Sequence, residues 1–311
     1  MKKYLIRRIL QIFPTLFGVS LLSFSLLYLF PGDPAEFVAQ IRYGVEPSPQ
    51  IVEKVRRELG LDEPFLIHYF HWLTHVLRGD FGVSWTEGEP VSKLIMQRLP
   101  ASAELFFTTF AISVAFAMIL GVISAVRKDK AIDHFCRIFS LLGISIPSFW
   151  LGLILIWIFS VQFHLLPAFG YGGIEHLILP VLTWSFSFMA IKTRFVRSCL
   201  VEALSQDYVV VAKAKGLKER VIVFRHALRN ALIPIITYFS LSIHHLIIGS
   251  IMVEVVFSWP GLGSLLVESV FKRDFPVVQA LVLISGVVFV IVNLIVDLLY
   301  AIIDPRIRFG D

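Results

Sequence analysis

Six stretches of this 311-residue chain stay apolar for about the length of a membrane span: Ile9 to Phe30, Ser102 to Val126, Ile138 to Phe159, Leu177 to Val196, Pro234 to Val256 and Val277 to Ile303. A helix needs about 20 mostly apolar residues to cross a hydrocarbon core. Inside lipid a helix also satisfies its backbone donors and acceptors within its own segment. The expected fold is an all-α integral membrane protein with six transmembrane helices. Composition agrees, since 57% of residues are hydrophobic and 16% charged, against roughly a quarter charged in soluble domains. The net charge of +5 sits at the ends of the apolar stretches and not along one polar face, which suits orientation in a membrane and not nucleic acid. Cys136 and Cys199 show no zinc-site spacing, and no structural disulfide is expected.

The first stretch follows Lys2, Lys3, Arg7 and Arg8 as a secretory leader would, but it is longer than a leader core. Pro31-Gly32-Asp33-Pro34 offers no small-x-small cleavage site, so an uncleaved first span is expected. Short loops rich in Lys and Arg stay in the cytoplasm. The N-terminus, the loop with Arg127, Lys128, Lys130 and Arg137, and the long loop from Arg194 to Arg229 are all basic, and Asp304-Pro305-Arg306 joins them. Both termini of this multi-pass chain are therefore expected in the cytoplasm. On this reading residues 1–30 form a cytoplasmic N-terminus and first transmembrane helix, and 31–101 an extracytoplasmic segment. Residues 102–311 form a five-helix core with a cytoplasmic loop at about 197–233. The outer segment should be helical: Ser48-Pro49 is a helix start, Ile51, Val55 and Leu59 share a face, Gly60 is a stop, and a second helix runs from Pro64 through Trp72 to Leu77.

The loop between the fourth and fifth spans carries most of the mechanism. It reads as a short helix through Asp207, Ala212 and Ala214, a break at Lys215-Gly216-Leu217, and a second basic helix with His226, Arg229 and Asn230 before Pro234. Small Ala212 and Ala214 beside Gly216 would leave a bare surface for a groove on another protein, with Lys and Arg gripping its rim.

Here the sequence resembles ABC importer permeases of the peptide and nickel family. Their loop reads Ala-x-Ala-x-Gly-Leu and then His-x-Leu-Arg-Asn-Ala-Leu-x-Pro, as this one does. The likeness continues through Leu59-Gly60-Leu61-Asp62-Glu63-Pro64, Gly79-Asp80-Phe81-Gly82-Val83-Ser84, Pro147-Ser148-Phe149-Trp150-Leu151-Gly152, Trp259-Pro260-Gly261-Leu262-Gly263 and Asp304-Pro305-Arg306, in order along nearly the whole chain. One departure from the wider importer pattern is that Glu-Ala-Ala is not intact immediately before Gly216. The resemblance implies a second homologous permease subunit, two ATPase subunits docked under the loop, and an extracytoplasmic substrate-binding protein, all arranged around membrane lipid. ATP and Mg would be bound by the ATPases, with no cofactor on this chain. No Gly-x-x-x-x-Gly-Lys-Ser/Thr loop is present, so this chain is expected not to be an enzyme.

Cargo is less constrained. Leu166-Pro167-Ala168-Phe169-Gly170-Tyr171-Gly172-Gly173 with His176 resembles nickel permeases, which favours nickel ion or a nickel chelate, with di- or oligopeptide import by the same architecture as the alternative. Imidazole suits nickel, and His68, His71 and His75 fall on one face of the second outer helix. Beside Tyr69 and Trp72 those histidines also suit an interfacial or docking role. His244 and His245 lie in the fifth span, about 100° apart around the helix. Glu254 near its outer end would meet an entering cation or peptide amine. Asp297 in the last span is a further pathway candidate, although its place near the cytoplasmic end suits a bond to the partner permease. Two rival classes have little behind them: a secondary transporter would show repeated halves, and an intramembrane enzyme would need a third group to order Ser240, Ser242 or Ser250 with the histidines.

Overall fold

A computed structural model describes residues 2–29, 31–44, 46–241 and 243–303, with side chains for 10–29, 31–44, 46–240, 250–296 and 298. In chain order the helices are α1 (Lys2–Leu29), α2 (Pro34–Tyr43), α3 (Pro49–Glu58), α4 (Phe65–Leu77), α5 (Val91–Val126), α6 (Ala131–Ser145), α7 (Ser148–Leu155), α8 (Ile174–Leu204), α9 (Asp207–Ala214), α10 (Glu219–Val221), α11 (Leu228–Leu241), α12 (Ile243–Val256), α13 (Leu262–Phe271) and α14 (Phe275–Ile303). Wider π-helical turns, Ile156–Gln162 and Ile222–Ala227, extend α7 and α10. The one β feature among the described residues is an isolated bridge between Val83 and Pro90.

Four described helices are long and apolar enough to cross a membrane: Leu10–Leu29 of α1, all of α5, all of α8 and Phe275–Val296 of α14. The third expected span is not straight. α6 and the helix from Ser148 to Gln162 meet at 104°, because Pro147 cannot donate and holds Ile146 in an extended conformation (φ −85°, ψ 121°). The fifth expected span corresponds to α11 and α12, 14 residues each, on either side of residue 242. An all-helical membrane protein stands, and among the described residues four helices, or five if the bent pair counts as one, are long and apolar enough to span. Boundaries also moved: the second expected span, begun at Ser102 in the sequence reading, belongs to α5, which begins at Val91 and carries Pro100 inside it. Between the fifth and sixth expected spans, where the sequence marks only a connection, lies α13.

Contacts divide the chain into two units, Met1–Pro100 with Ser264–Ile291, and Ala101–Gly263 with Val292–Asp311. In the first, α2 and α3 close on Ala35, Val38, Ala39 and Val55, with Trp85 against them. Asp33 caps α2 by accepting from Ala35 N at 3.0 Å and pairs with Arg56 of α3 at 2.5 Å. α4 packs on α1 through Phe24, buried with its ring centroid 4.9–5.5 Å from those of Tyr28, Phe65, His68, Tyr69 and Trp72. The buried Tyr69 hydroxyl meets Ser20 Oγ at 2.7 Å. A clasp closes the unit at Asp274: Ser84 Oγ donates to its carboxylate, as do Trp85 N at 3.1 Å and Thr86 Oγ1 at 2.7 Å. The Gly79–Ser84 motif is thus the run that delivers Ser84 to a buried carboxylate.

In the second unit α8 is the hub, packed against α5, α6, α7, α11 and α12. Small residues let helices approach closely without a side chain between them. A Cβ on Gly121 would stand 2.6 Å from the Val196 side chain, and one on Gly143 would collide with Ala190. The interior comprises one cluster around Leu105, Trp184 and Trp259 and another around Val196, Leu200, Ala227 and Ile235.

Candidate functional site

The α9 segment is a shelf resting on a small core of its own. Val209 and Ala212, three residues apart, turn inward onto Ile222 with Tyr208 beside them, and Tyr208 donates its hydroxyl to Ala203 O at 2.9 Å. The opposite face is bare: Val210 is 63% exposed and Val211 52%. α9 stops because Gly216 adopts φ +73°, letting Gly216 N and Leu217 N bond back to Lys213 O and Ala212 O at 2.9 and 3.3 Å. That left-handed closure favours glycine, and the space where a Cβ would stand is open.

Ala212 departs from the sequence reading. It is buried in the supporting core, so of the two alanines only Ala214 belongs to the open surface, with Asp207, Lys213, Lys215, Gly216, Leu217 and Phe224. Arg229 and Asn230 are exposed at the start of α11, and His226 is half-buried. None of Lys213, Lys215, Lys218, Arg220, Arg225 or Arg229 forms an ion pair among the described residues.

Glu254 also sits differently from the sequence expectation. Its side chain is fully buried and accepts from Ser102 Oγ at 2.7 Å. Ser102 Oγ in turn accepts from Leu262 N at 2.7 Å, and Trp259 Nε1 donates to Ala101 O at 2.8 Å. The Trp259–Gly263 motif therefore wraps a carboxylate: a Cβ on Gly263 would stand 2.8 Å from Glu254 Oε2. The Glu254 carboxylate, expected to be open at the span's end, is enclosed by this turn. His244, His245 and Asp297 lie on α12 and α14 among side chains outside the described set.

The outer histidines have separate partners. His68 Nδ1 meets Tyr28 Oη at 2.6 Å, His71 Nδ1 meets Glu63 at 2.9 Å and His75 Nδ1 meets Asp80 at 3.2 Å. Burial lowers the His68 pKa below its ordinary value, more than nearby Glu63 raises it. No group of three His, Cys, Asp or Glu is placed to hold an ion among the described residues. His176 lies against the Phe169 carbonyl at 3.1 Å, so the run that resembles nickel permeases is a loop folded over its own imidazole.

Two polar sites escaped the sequence reading. Lys192, 1% exposed on α8, has its ammonium 3.2 Å from Ser113 Oγ and 5.0–5.5 Å from the ring centroids of Phe110, Phe188 and Phe239. A single Lys within the run Leu177 to Val196 was the available sign. Asp133 accepts both Arg197 Nε and Nη2 at 2.6 and 2.7 Å, with Ser124 Oγ at 2.6 Å. No local pattern links residues 64 positions apart.

Residues 117–309 match the family model described as a binding-protein-dependent transport system inner membrane component, and residues 1–106 match its N-terminal companion. Over 309 residues, 99% of this chain and all of theirs, it is 43% identical to proteins named glutathione transport system permease protein GsiC from Salmonella typhimurium strain LT2 and Escherichia coli strain K12. A solved structure titled as an amino acid ABC transporter with histidines aligns with TM-score 0.56 at 16% identity, covering 68% of this chain and 94% of that one, and likens the fold alone.

Proposed function

This chain belongs to the family of binding-protein-dependent transport-system inner-membrane components, as a permease subunit of an ABC importer that is not itself catalytic, and from that premise we propose that it carries short peptides of the glutathione class. The observation behind the cargo is the end-to-end likeness to glutathione permeases. The nickel expectation has only the local run Leu166–His176 in its favour, and His176 there has a structural task. A peptide can be bound by hydrogen bonds and charge without any metal-ligating cluster in the permease.

In this proposal ATP hydrolysed by two separate ATPase subunits reaches the cargo through the α9 shelf. An exposed ridge of Val210, Ala214, Gly216 and Leu217 enters a groove on the ATPase, and the unpaired basic residues around it engage the rim. Closure of the ATPases pushes the shelf, which is continuous with α8 through the Ala203–Tyr208 corner. Movement of α8, the hub of its unit, rocks this permease against a second one and alternates access to a cavity between them. An extracytoplasmic binding protein delivers cargo to the side bearing α2 to α4, and the basic loops and both termini face the cytoplasm.

Uptake of labelled glutathione, labelled dipeptide and radioactive nickel, the last with and without chelator, is compared in cells lacking this chain and after its restoration. Peptide uptake is expected to vanish and return with the chain. Loss confined to nickel would overturn the cargo assignment while leaving the permease standing.

A further inference from the structure

Between α5, α6 and α8 lies a cavity of about 410 Å³ that neither the shelf nor the pathway residues use. Three guanidinium groups line it, Arg137, Arg194 and Arg197. Arg197 is neutralised by Asp133, whereas Arg137 and Arg194 have no ion pair among the described residues, leaving an excess of positive charge. Thr193, 1% exposed, lines the same cavity, and its hydroxyl has no hydrogen-bond partner there. A buried hydroxyl beside two uncompensated cations asks for a multivalent acceptor, and a phosphate group offers the oxygens for both.

The cavity's edge indicates what carries the phosphate. Leu141 lines it and is 58% exposed, and Phe135, Ile138 and Leu142 continue the same α6 face at 66%, 58% and 50%. A basic recess bordered by an open apolar helix face matches an amphiphile better than a free ion. We propose that this cavity holds the phosphate headgroup of an anionic phospholipid, with Arg137 and Arg194 as its charge partners, Thr193 as a donor and the acyl chains along α6. Under the orientation proposed above, this is a lipid of the cytoplasmic leaflet. The inference is independent of the cargo.

The assembled importer, stripped of loosely held lipid and then offered phosphatidylglycerol or phosphatidylcholine, is weighed by native mass spectrometry. One phosphatidylglycerol per copy of this chain should persist while phosphatidylcholine washes away. The double variant Arg137→Gln/Arg194→Gln should lower retention by roughly 10- to 30-fold, and Arg137→Lys/Arg194→Lys should largely restore it in an equally folded complex. Equal retention of the two lipids, or retention indifferent to the Gln pair, would overturn the proposal. Displacement by millimolar inorganic phosphate alone would assign the cavity to a free anion instead, and displacement by glutathione would assign it to cargo. Either would also overturn the lipid reading.

Discussion

The outer helical segment and the α9 shelf are both polar, yet they treat charge in opposite ways. In the outer segment charges answer one another: Asp33 pairs with Arg56, Glu58 with Arg42 and Glu87 with Lys272, and Asp274 is enclosed by Ser84, Trp85 and Thr86. Around the shelf, Lys213, Lys215, Lys218, Arg220 and Arg225 stand exposed without an ionic partner, beside an apolar ridge left open, among the described residues. A segment whose charges are largely matched internally needs no partner to hold its own fold. One whose charges and apolar surface are both left open is suited to being finished by another protein.

Breaking the shelf should have the largest effect. Gly216→Pro cannot adopt φ +73°, and Ala214→Arg adds bulk to the exposed ridge. Either variant is expected to abolish ATP-driven uptake in proteoliposomes with membrane abundance unchanged, and normal uptake by both would erase the contrast between the two regions.

The outer clasp should instead fail as a matter of stability. Asp274→Ala removes the acceptor of several donors, at about 1–3 kcal/mol for each buried group left unsatisfied, and should lower the thermal unfolding midpoint of the detergent-solubilised complex, with Asp274→Asn intermediate. An unchanged midpoint would mean that the clasp is incidental. The Glu254 turn should behave similarly on a smaller scale. Gly263→Ala crowds Glu254 Oε2 and Ile251 Cα at 2.8 Å and is expected to cost about 1–3 kcal/mol in the same assay.

The smallest effect belongs to Glu87 and Lys272, about half exposed, where removal of Lys272 should cost only about 0.2–1 kcal/mol. The Lys272 hydrogen bond holds Glu87 below its ordinary pKa of 4.5, and Glu87 holds Lys272 above its ordinary 10.5. Stability from the lowered carboxylate is present above 4.5 and is lost as pH falls through its folded value. That from the raised ammonium is present below 10.5 and is lost as pH rises through its folded value. Lys272→Ala should therefore flatten a small decline in midpoint on acidification below 4.5. An identical decline in the variant would remove this pair from the clasp.

Sequence alone made the helical membrane architecture legible because apolar runs of spanning length have one economical fold in lipid. It also located two of the three described helices lying wholly in the 31–101 segment, since Ser48-Pro49, Gly60 and Pro64 are local stop and start chemistry, and α3 and α4 begin and end beside them, whereas α2, capped by Asp33, was overlooked. The bend at Ile146-Pro147 was overlooked because apolarity continues unbroken through it, and α13 was hidden in what composition marks as a connection. Around the site, the Gly216 break was visible in the residue type. The inward turn of Ala212 depends on Ile222, and the Asp133–Arg197 pair and the Lys192 cage depend on residues distant in sequence. Glu254 looked open because an acidic residue near a span's end is usually wet, and only the returning Trp259–Gly263 turn reveals its enclosure.

The most direct measurement takes Ala214→Cys, in a chain with Cys136→Ala and Cys199→Ala, and follows its labelling by maleimide in inverted membrane vesicles with and without the ATPase subunits. Glu58→Cys, labelled in parallel from the opposite face in right-side-out vesicles, serves as the outer control. Docking at the shelf predicts that Ala214→Cys labels fast alone, becomes protected on adding the ATPases and cross-links to one of them, while Glu58→Cys is unaffected. Labelling of Ala214→Cys that is equally fast in the assembled importer, with no cross-link, would contradict the shelf as the point where ATP-derived work enters.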